Sequence, residues 1–306
     1  MKKYRILTID GGGIRGLITA ILLERLEREI PGFLSEVDLF AGTSTGGLIA
    51  LGLASGLNPT QARRIYEEKG DLVFKMSIVR KILALGNLIG AKYSLNPLKE
   101  ELSKQFGELK LDDLPKKVLI SSFDLDNSPV NSSVNRQWKA KFFHNYPGSD
   151  SDGKESVIDV AIRTANAPTY FPIFQGYIDG GVVANNPSMC ALAQAIHPQT
   201  GGERLSDIVL ISFGTGHNPH YIPVQYGDWG VLHWATKIIN LVTEGSAGLA
   251  DYQCRQLLGT RYLRVNPLLP YSIAMDQVDE IPRMVEIGNK FDLSEAASWI
   301  REIYLT

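Results

Sequence analysis

Residues 4–54 repeat one local pattern: a short apolar run, a glycine-rich turn, then a helical stretch. Tyr4–Ile9 is β-favouring, Gly11, Gly12 and Gly13 interrupt it, and Leu17–Ile30 carries apolar residues at helical spacing before Pro31 and Gly32 end the run. Val37–Ala41 then meets Gly42, Ser44, Gly46 and Gly47, which open a second helical stretch. Two strand-turn-helix units in succession build parallel strands with crossover helices. Further strands are expected at Val118–Phe123, Phe174–Ile178, Ile208–Phe213 and Tyr262–Val265, spaced widely enough for more crossovers. Asn58-Pro59, Asn96-Pro97 and Asn186-Pro187 each set a capping side chain before a proline and mark helix starts. Asn145–Glu155, rich in Gly, Ser and Asp, is expected to be an exposed loop. The pattern predicts an α/β fold with a mainly parallel sheet.

The 306 residues, 44% hydrophobic and 21% charged, supply a sizeable core and exclude a disordered or collagen-like chain. Lysine and arginine number 31 against 33 acidic residues, so no polycation exists to neutralise nucleic-acid phosphates, and nucleic acid is excluded as a principal partner. Only Cys190 and Cys254 occur, too few for a disulfide framework and consistent with a reducing, cytoplasmic location. Arg5 and Asp10 interrupt any apolar signal core near the N-terminus. The uncharged stretch Leu39–Ala62 holds too many Gly, Ser and Thr residues, and Pro59, to span a membrane. His144, His197, His220 and His233 show no metal-ligand spacing with carboxylates, so no metal or other cofactor is expected.

Gly11-Gly12-Gly13-Ile14-Arg15-Gly16 fits G-x-G-x-x-G between a strand and a helix. Consecutive glycine amides form a concavity, and the helix N-terminus adds a field that favours negative charge, so a phosphate or a developing oxyanion fits there. A dinucleotide site would place an acidic residue near the next strand end. This chain instead reads Gly42-Thr43-Ser44-Thr45-Gly46, a G-x-S-x-G turn. In a nucleophile elbow the chain turns sharply from strand to helix at the serine, and small residues two positions away on each side prevent crowding. Gly42 and Gly46 meet that need, and the amides of Gly12 and Gly13 are then candidate oxyanion donors for Ser44. The competing readings are a helix-capping serine and a nucleotide-binding loop.

Several blocks together resemble the patatin-like phospholipase family. Asp10–Gly16 is similar to its D-G-G-G-x-R-G oxyanion loop, Gly42–Gly47 to its G-T-S-T-G-G nucleophile turn, and Asp179-Gly180-Gly181 to its D-G-[GA] turn. Asn185-Asn186-Pro187 and Gly214-Thr215-Gly216 resemble further family blocks, whereas Thr164-Ala165-Asn166-Ala167-Pro168 departs from the usual A-S-x-A-A-P pattern. The resemblance covers residues 4–216. It implies a three-layer αβα fold with a mainly parallel central sheet, formed as a single domain over 1–306 whose last part, 217–306, completes the fold or pocket. It also implies hydrolysis of phospholipids or related acyl esters, with Ser44 as nucleophile and Asp179 as its base.

A serine hydroxyl is a weak nucleophile until a neighbouring group accepts its proton. Asp10, Asp38, Asp124 and Asp126 also lie near expected strand ends, and only the resemblance selects Asp179, since Asp-Gly-Gly by itself equally describes a hairpin turn. Ser44, Asp179 and His217 also stand in the chain order of Ser-Asp-His esterases, which keeps a histidine mechanism open. Arg15 either braces the glycine loop or attracts an anionic head group, while Gly11, Gly16, Gly180 and Gly181 shape the two turns. Leu72–Ile89 mixes apolar residues with Lys75, Arg80 and Lys81; it is either a core-packed amphipathic helix or a lipid-facing cap making peripheral membrane contact. Some bacterial patatin-like enzymes are nucleotide-activated, membrane-degrading effectors, but no feature of this sequence points to such activation.

Overall fold

The computed structural model describes residues 3–74, 90–127, 136–222, 227–235 and 237–306. Its strands are β1 (Tyr4–Ile9), β2 (Leu39–Thr43), β3 (Lys117–Asp124), β4 (Lys139–His144), β5 (Tyr177–Asp179), β6 (Ile208–Phe213) and β7 (Tyr262–Val265). The helices used below are α1 (Gly16–Glu29), α2 (Thr45–Ala54), α3 (Pro59–Val73), α4 (Asn96–Phe106), α5 (Val157–Ala165), α6 (Gly181–Ala184), α7 (Ser188–Ile196), α8 (Val231–Ala235), α9 (Ile238–Leu258), α10 (Ile281–Lys290) and α11 (Ser294–Trp299).

The strands form one sheet in the order β4-β3-β2-β1-β6-β7, with β5 paired to β3. The β1–β2, β2–β3, β1–β6 and β6–β7 pairs are parallel, whereas β4 and β5 run antiparallel to β3. Alternate residues face opposite sides of a strand, and the core divides accordingly. Leu7, Ile9, Phe40, Val118, Ile120 and Ile211 pack with α1, α2, α5 and the C-terminal helices on one face. Ile6, Leu39, Ala41, Leu119 and Leu210 pack with α7 and α9 on the other. The expected three-layer αβα arrangement with a mainly parallel sheet is the observed one.

Local chemistry explains the differences from the sequence reading. β4 was not foreseen: its sequence, Lys-Ala-Lys-Phe-Phe-His, lacks a continuous apolar run because only its C-terminal end is buried. The strand expected at Phe174–Ile178 begins only at Tyr177, because Gln175 and Gly176 take φ of 52° and 83° in a tight turn closed by hydrogen bonds between Phe174 and Tyr177. Asn58 caps α3 in a full capping box with Gln61. The other two Asn-Pro pairs sit differently: Asn96 is already inside α4, and Asn186 lies two residues ahead of α7, accepting the Ser188 N–H at 3.0 Å. The segment 145–155 is exposed only in part, since Asn145 is buried and accepts the Val118 N–H at 2.9 Å. Of the stretch expected as core helix or membrane cap, Leu72 and Val73 end α3, Phe74 follows as its C-cap, and 75–89 lie outside the described residues.

Candidate active site

β2 and β5 share one edge of β3 and arrive from opposite directions. Thr43, the last residue of β2, is in register with Ser121, while Asp179, the last residue of β5, is in register with Ser122. The two chain ends therefore meet over consecutive residues of one strand, which brings Ser44 and Asp179 together.

Ser44 occupies a strained backbone position, φ 55° and ψ −126°, unusual for a residue with a side chain. Two features hold it there. Its N–H donates to Thr164 Oγ1 at 2.9 Å, and the Thr164 hydroxyl donates to the Ser121 carbonyl at 2.6 Å. The strand-to-helix turn is also so tight that a Cβ on Gly42 would lie 2.2 Å from the Gly46 carbonyl oxygen, and one on Gly46 would lie 2.3 Å from that of Ile9. Only glycine fits at either place.

The Asp179 carboxylate is buried, and burial pushes its pKa up to about 6, against hydrogen bonds from the Ser44 hydroxyl and the Gly181 N–H that favour the ionised form. The Gly181 bond is 2.7 Å long. Gly180 lies between them, against β3 at Ser121.

The glycine loop leaves β1 alongside Ser44; a Cβ built on Gly11 would stand 3.3 Å from that of Ser44. The loop is tied on both flanks. Asp10 N–H donates to Phe213 O at 2.9 Å, Gly11 N–H to Asn185 O at 3.1 Å, and Ile14 N–H to Met275 O at 2.8 Å, while the Thr215 hydroxyl donates to Gly11 O at 2.8 Å. Between these ties the N–H groups of Gly12 and Gly13 meet no acceptor among the described residues. Asp10 is not a free base: its carboxylate is paired in two-pronged fashion with Arg264 of β7, one prong at 2.8 Å. Arg15 braces the loop through long contacts to the carbonyls of Gly12 (3.4 Å) and Ile273 (3.3 Å), and Gly16 opens α1.

The remaining candidates point elsewhere. Asp38 accepts the Arg5 N–H, Asp124 accepts the Asp126 N–H, and Asp126 pairs with Arg136. His217 is exposed, held by its backbone to Pro267 and Leu269, and its ring bonds neither Ser44 nor Asp179 among the described residues.

Two cavities flank the loop. One, of ≈ 130 Å³, starts at Ser44 and Gly13 and runs between α2, α3 and α4, lined by apolar side chains such as Leu48, Ile49, Val73, Phe74 and Phe171. The other, of ≈ 370 Å³, is polar and lies beyond Gly11. Arg264, Thr164 and Met275 had not been singled out in the sequence for these supporting roles. The one signal available for Arg264 was a cation inside an otherwise strand-like run. Among the described residues no cluster of His, Cys, Asp and Glu is arranged to hold a metal, and no helix is long and apolar enough to cross a membrane.

Comparison with known proteins places the chain in a family. A family model described as patatin-like phospholipase matches residues 7–192. A protein of Pseudomonas aeruginosa named cGAMP-activated phospholipase is 32% identical over 86% of this chain and 78% of its own. Protein teg of Priestia megaterium is 28% identical over 98% of both chains, and patatin-like protein 2 of Arabidopsis thaliana is 29% identical over 81% of this chain and 70% of its own. With the strand-borne Ser44 turn, the glycine loop beside it and a family match over more than half its length, this chain belongs to the patatin-like phospholipase family.

Proposed function

We propose that the protein is a serine lipid acyl hydrolase that cleaves carboxylic ester bonds of phospholipids or related acyl lipids through Ser44 and Asp179. The observation that carries this reading is a buried carboxylate, ionised above about pH 6, held against a strained serine at the mouth of an apolar cavity. In the first step Asp179 accepts the hydroxyl proton while Ser44 Oγ bonds to the acyl carbon. The Gly12 and Gly13 amides receive the resulting oxyanion, a contribution of roughly 3–4 kcal/mol for one well-placed donor in comparable chemistry. Collapse of the intermediate expels the alcohol, which takes the proton from Asp179. Water, deprotonated by the same carboxylate, then releases the fatty acid from acyl-Ser44 and returns the proton to Oγ. The passage of the glycine loop alongside the Ser44 side chain favours an oxyanion role over phosphate binding.

Two expected results test this reading. Because Asp179 must be ionised to accept a proton, kcat/KM for ester hydrolysis rises about tenfold per pH unit below about 6 and levels off above it. A profile flat from pH 5 to 8 would count against a carboxylate base. Ile65 lines the apolar cavity, so Ile65→Trp shortens it. Hydrolysis of palmitoyl esters should fall by about tenfold or more while butyryl esters keep near wild-type rates. Equal loss on both would remove the acyl chain from that cavity.

A further inference from the structure

We propose that the polar chamber beyond the glycine loop is the subsite for the alcohol half of the substrate, and that it takes a hydroxyl-bearing, glycerol-based head group. This rests on the ester-hydrolase reading and extends it to the other end of the substrate. An acyl ester has an apolar arm and a polar arm joined at one carbonyl. The protein has an apolar cavity and a polar chamber on either side of the loop that carries the candidate oxyanion donors, with Tyr170 and Met275 lining both. Sheet topology puts the chamber where open α/β sheets bind ligands: β2 and β6 lie on opposite sides of β1, and the chamber opens beyond the carboxyl ends of β1, β6 and β7, at Asp10, Thr215 and Asn266.

The lining selects hydrogen-bonding oxygens rather than net charge. Of the acidic groups facing it, Asp10 pairs with Arg264 and Asp251 with Arg255, while Glu244 Oε1 lies 3.2 Å from His220 Nδ1. Arg15 is turned onto two carbonyls. What remains unspent is mainly amide, beside the Tyr170 hydroxyl and the His217 ring. The side chains of Asn185 and Asn240 bond no other described group, and Asn266 has its oxygen on the Gly216 N–H at 3.0 Å with its NH2 unused. Amide groups that both donate and accept suit hydroxyls, which do the same. The α9 wall of the chamber also leaves open space: Gly248 lies inside helix α9, where glycine costs about 1 kcal/mol relative to alanine, and a Cβ added there meets nothing within 4 Å.

That open space supplies the test. Gly248→Phe adds a ring to the α9 wall of the chamber, whose lining includes neither Ser44 nor Asp179, and Asn240→Leu removes a hydrogen-bonding group from the same wall. Methyl octanoate, 1-monooctanoylglycerol and octanoyl lysophosphatidylglycerol share one acyl chain and differ only in the alcohol. Wild type should show a kcat/KM about tenfold or more higher for the two glycerol esters than for the methyl ester. Gly248→Phe should erase that preference, and Asn240→Leu reduce it severalfold, both leaving methyl octanoate within about twofold of wild type. The neutral and phosphorylated glycerol esters together show whether hydroxyls alone or the phosphate as well are recognised. A preference unchanged in Gly248→Phe, or an equal loss on all three esters, would overturn the subsite. Wild type inactive on every ester, the methyl ester included, would instead overturn the hydrolase reading beneath it.

Discussion

Replacing Ser44 with alanine is expected to lower kcat for ester hydrolysis by about 10⁴-fold or more, the scale seen when the nucleophile of a serine hydrolase is removed. Alanine keeps the Cβ, so the strained φ of 55° and the Thr164 clamp on the backbone N–H both persist. Circular dichroism and the melting temperature should therefore stay close to wild type, and the loss is chemical. A fluorophosphonate probe should label wild type at Ser44 and leave the variant unlabelled. A folded Ser44→Ala protein retaining wild-type turnover would remove the nucleophile from the scheme.

Asp179→Asn should bring a similarly deep loss of turnover together with a gain in stability, and the pairing of opposite effects is the more telling result. The Asp179 carboxyl titrates near 6 in the folded protein, above the ordinary carboxylate value of 3.8, because burial penalises its charge. Between those two values the folded state holds a proton that the unfolded state has released, so stability falls as pH rises and stays lower above about pH 6. The cost is on the order of 3 kcal/mol. Asparagine cannot ionise, yet it can still accept the Gly181 N–H. At about pH 8 the variant should melt several degrees above wild type, and near pH 4 the two should coincide. Thermal melts at both pH values decide it; a variant less stable at pH 8 would mean that the carboxylate is structurally required in its charged form. Activity concentrated in His217→Ala losses instead would move the base to the histidine.

Much of the fold was legible because its signals are local. A strand that ends in a glycine turn and restarts as a helix announces itself within fifteen residues, as at Ile9–Leu17 and Thr43–Leu48. Elements whose sequence is shaped by partial exposure were harder to see. β4 is fully buried only at its C-terminal end, and β5 is a three-residue strand whose start is set by a turn. Long-range pairings left still weaker traces. The partnership of Asp10 with Arg264 joins residues 254 positions apart, and the hold of Thr164 on Ser44 spans 120. The apolar cavity was invisible for a different reason: the faces of α3 and α4 that line it, at Val73, Leu98 and Leu102, carry the same helical periodicity as faces that pack against a core. Periodicity reports that a face is apolar but not whether protein or empty space lies opposite.

The meeting of β2 and β5 on one edge of β3 sets the distance between Ser44 and Asp179 by strand register, through β3 and the few residues that clamp the two chain ends, rather than by the whole of the intervening stretch. That stretch contains α3 and α4, which wall the apolar cavity. Substitutions on those helices can therefore lengthen, shorten or reline the cavity while Ser44 and Asp179 keep their spacing, so that the size of what fits and the geometry of the pair can change independently.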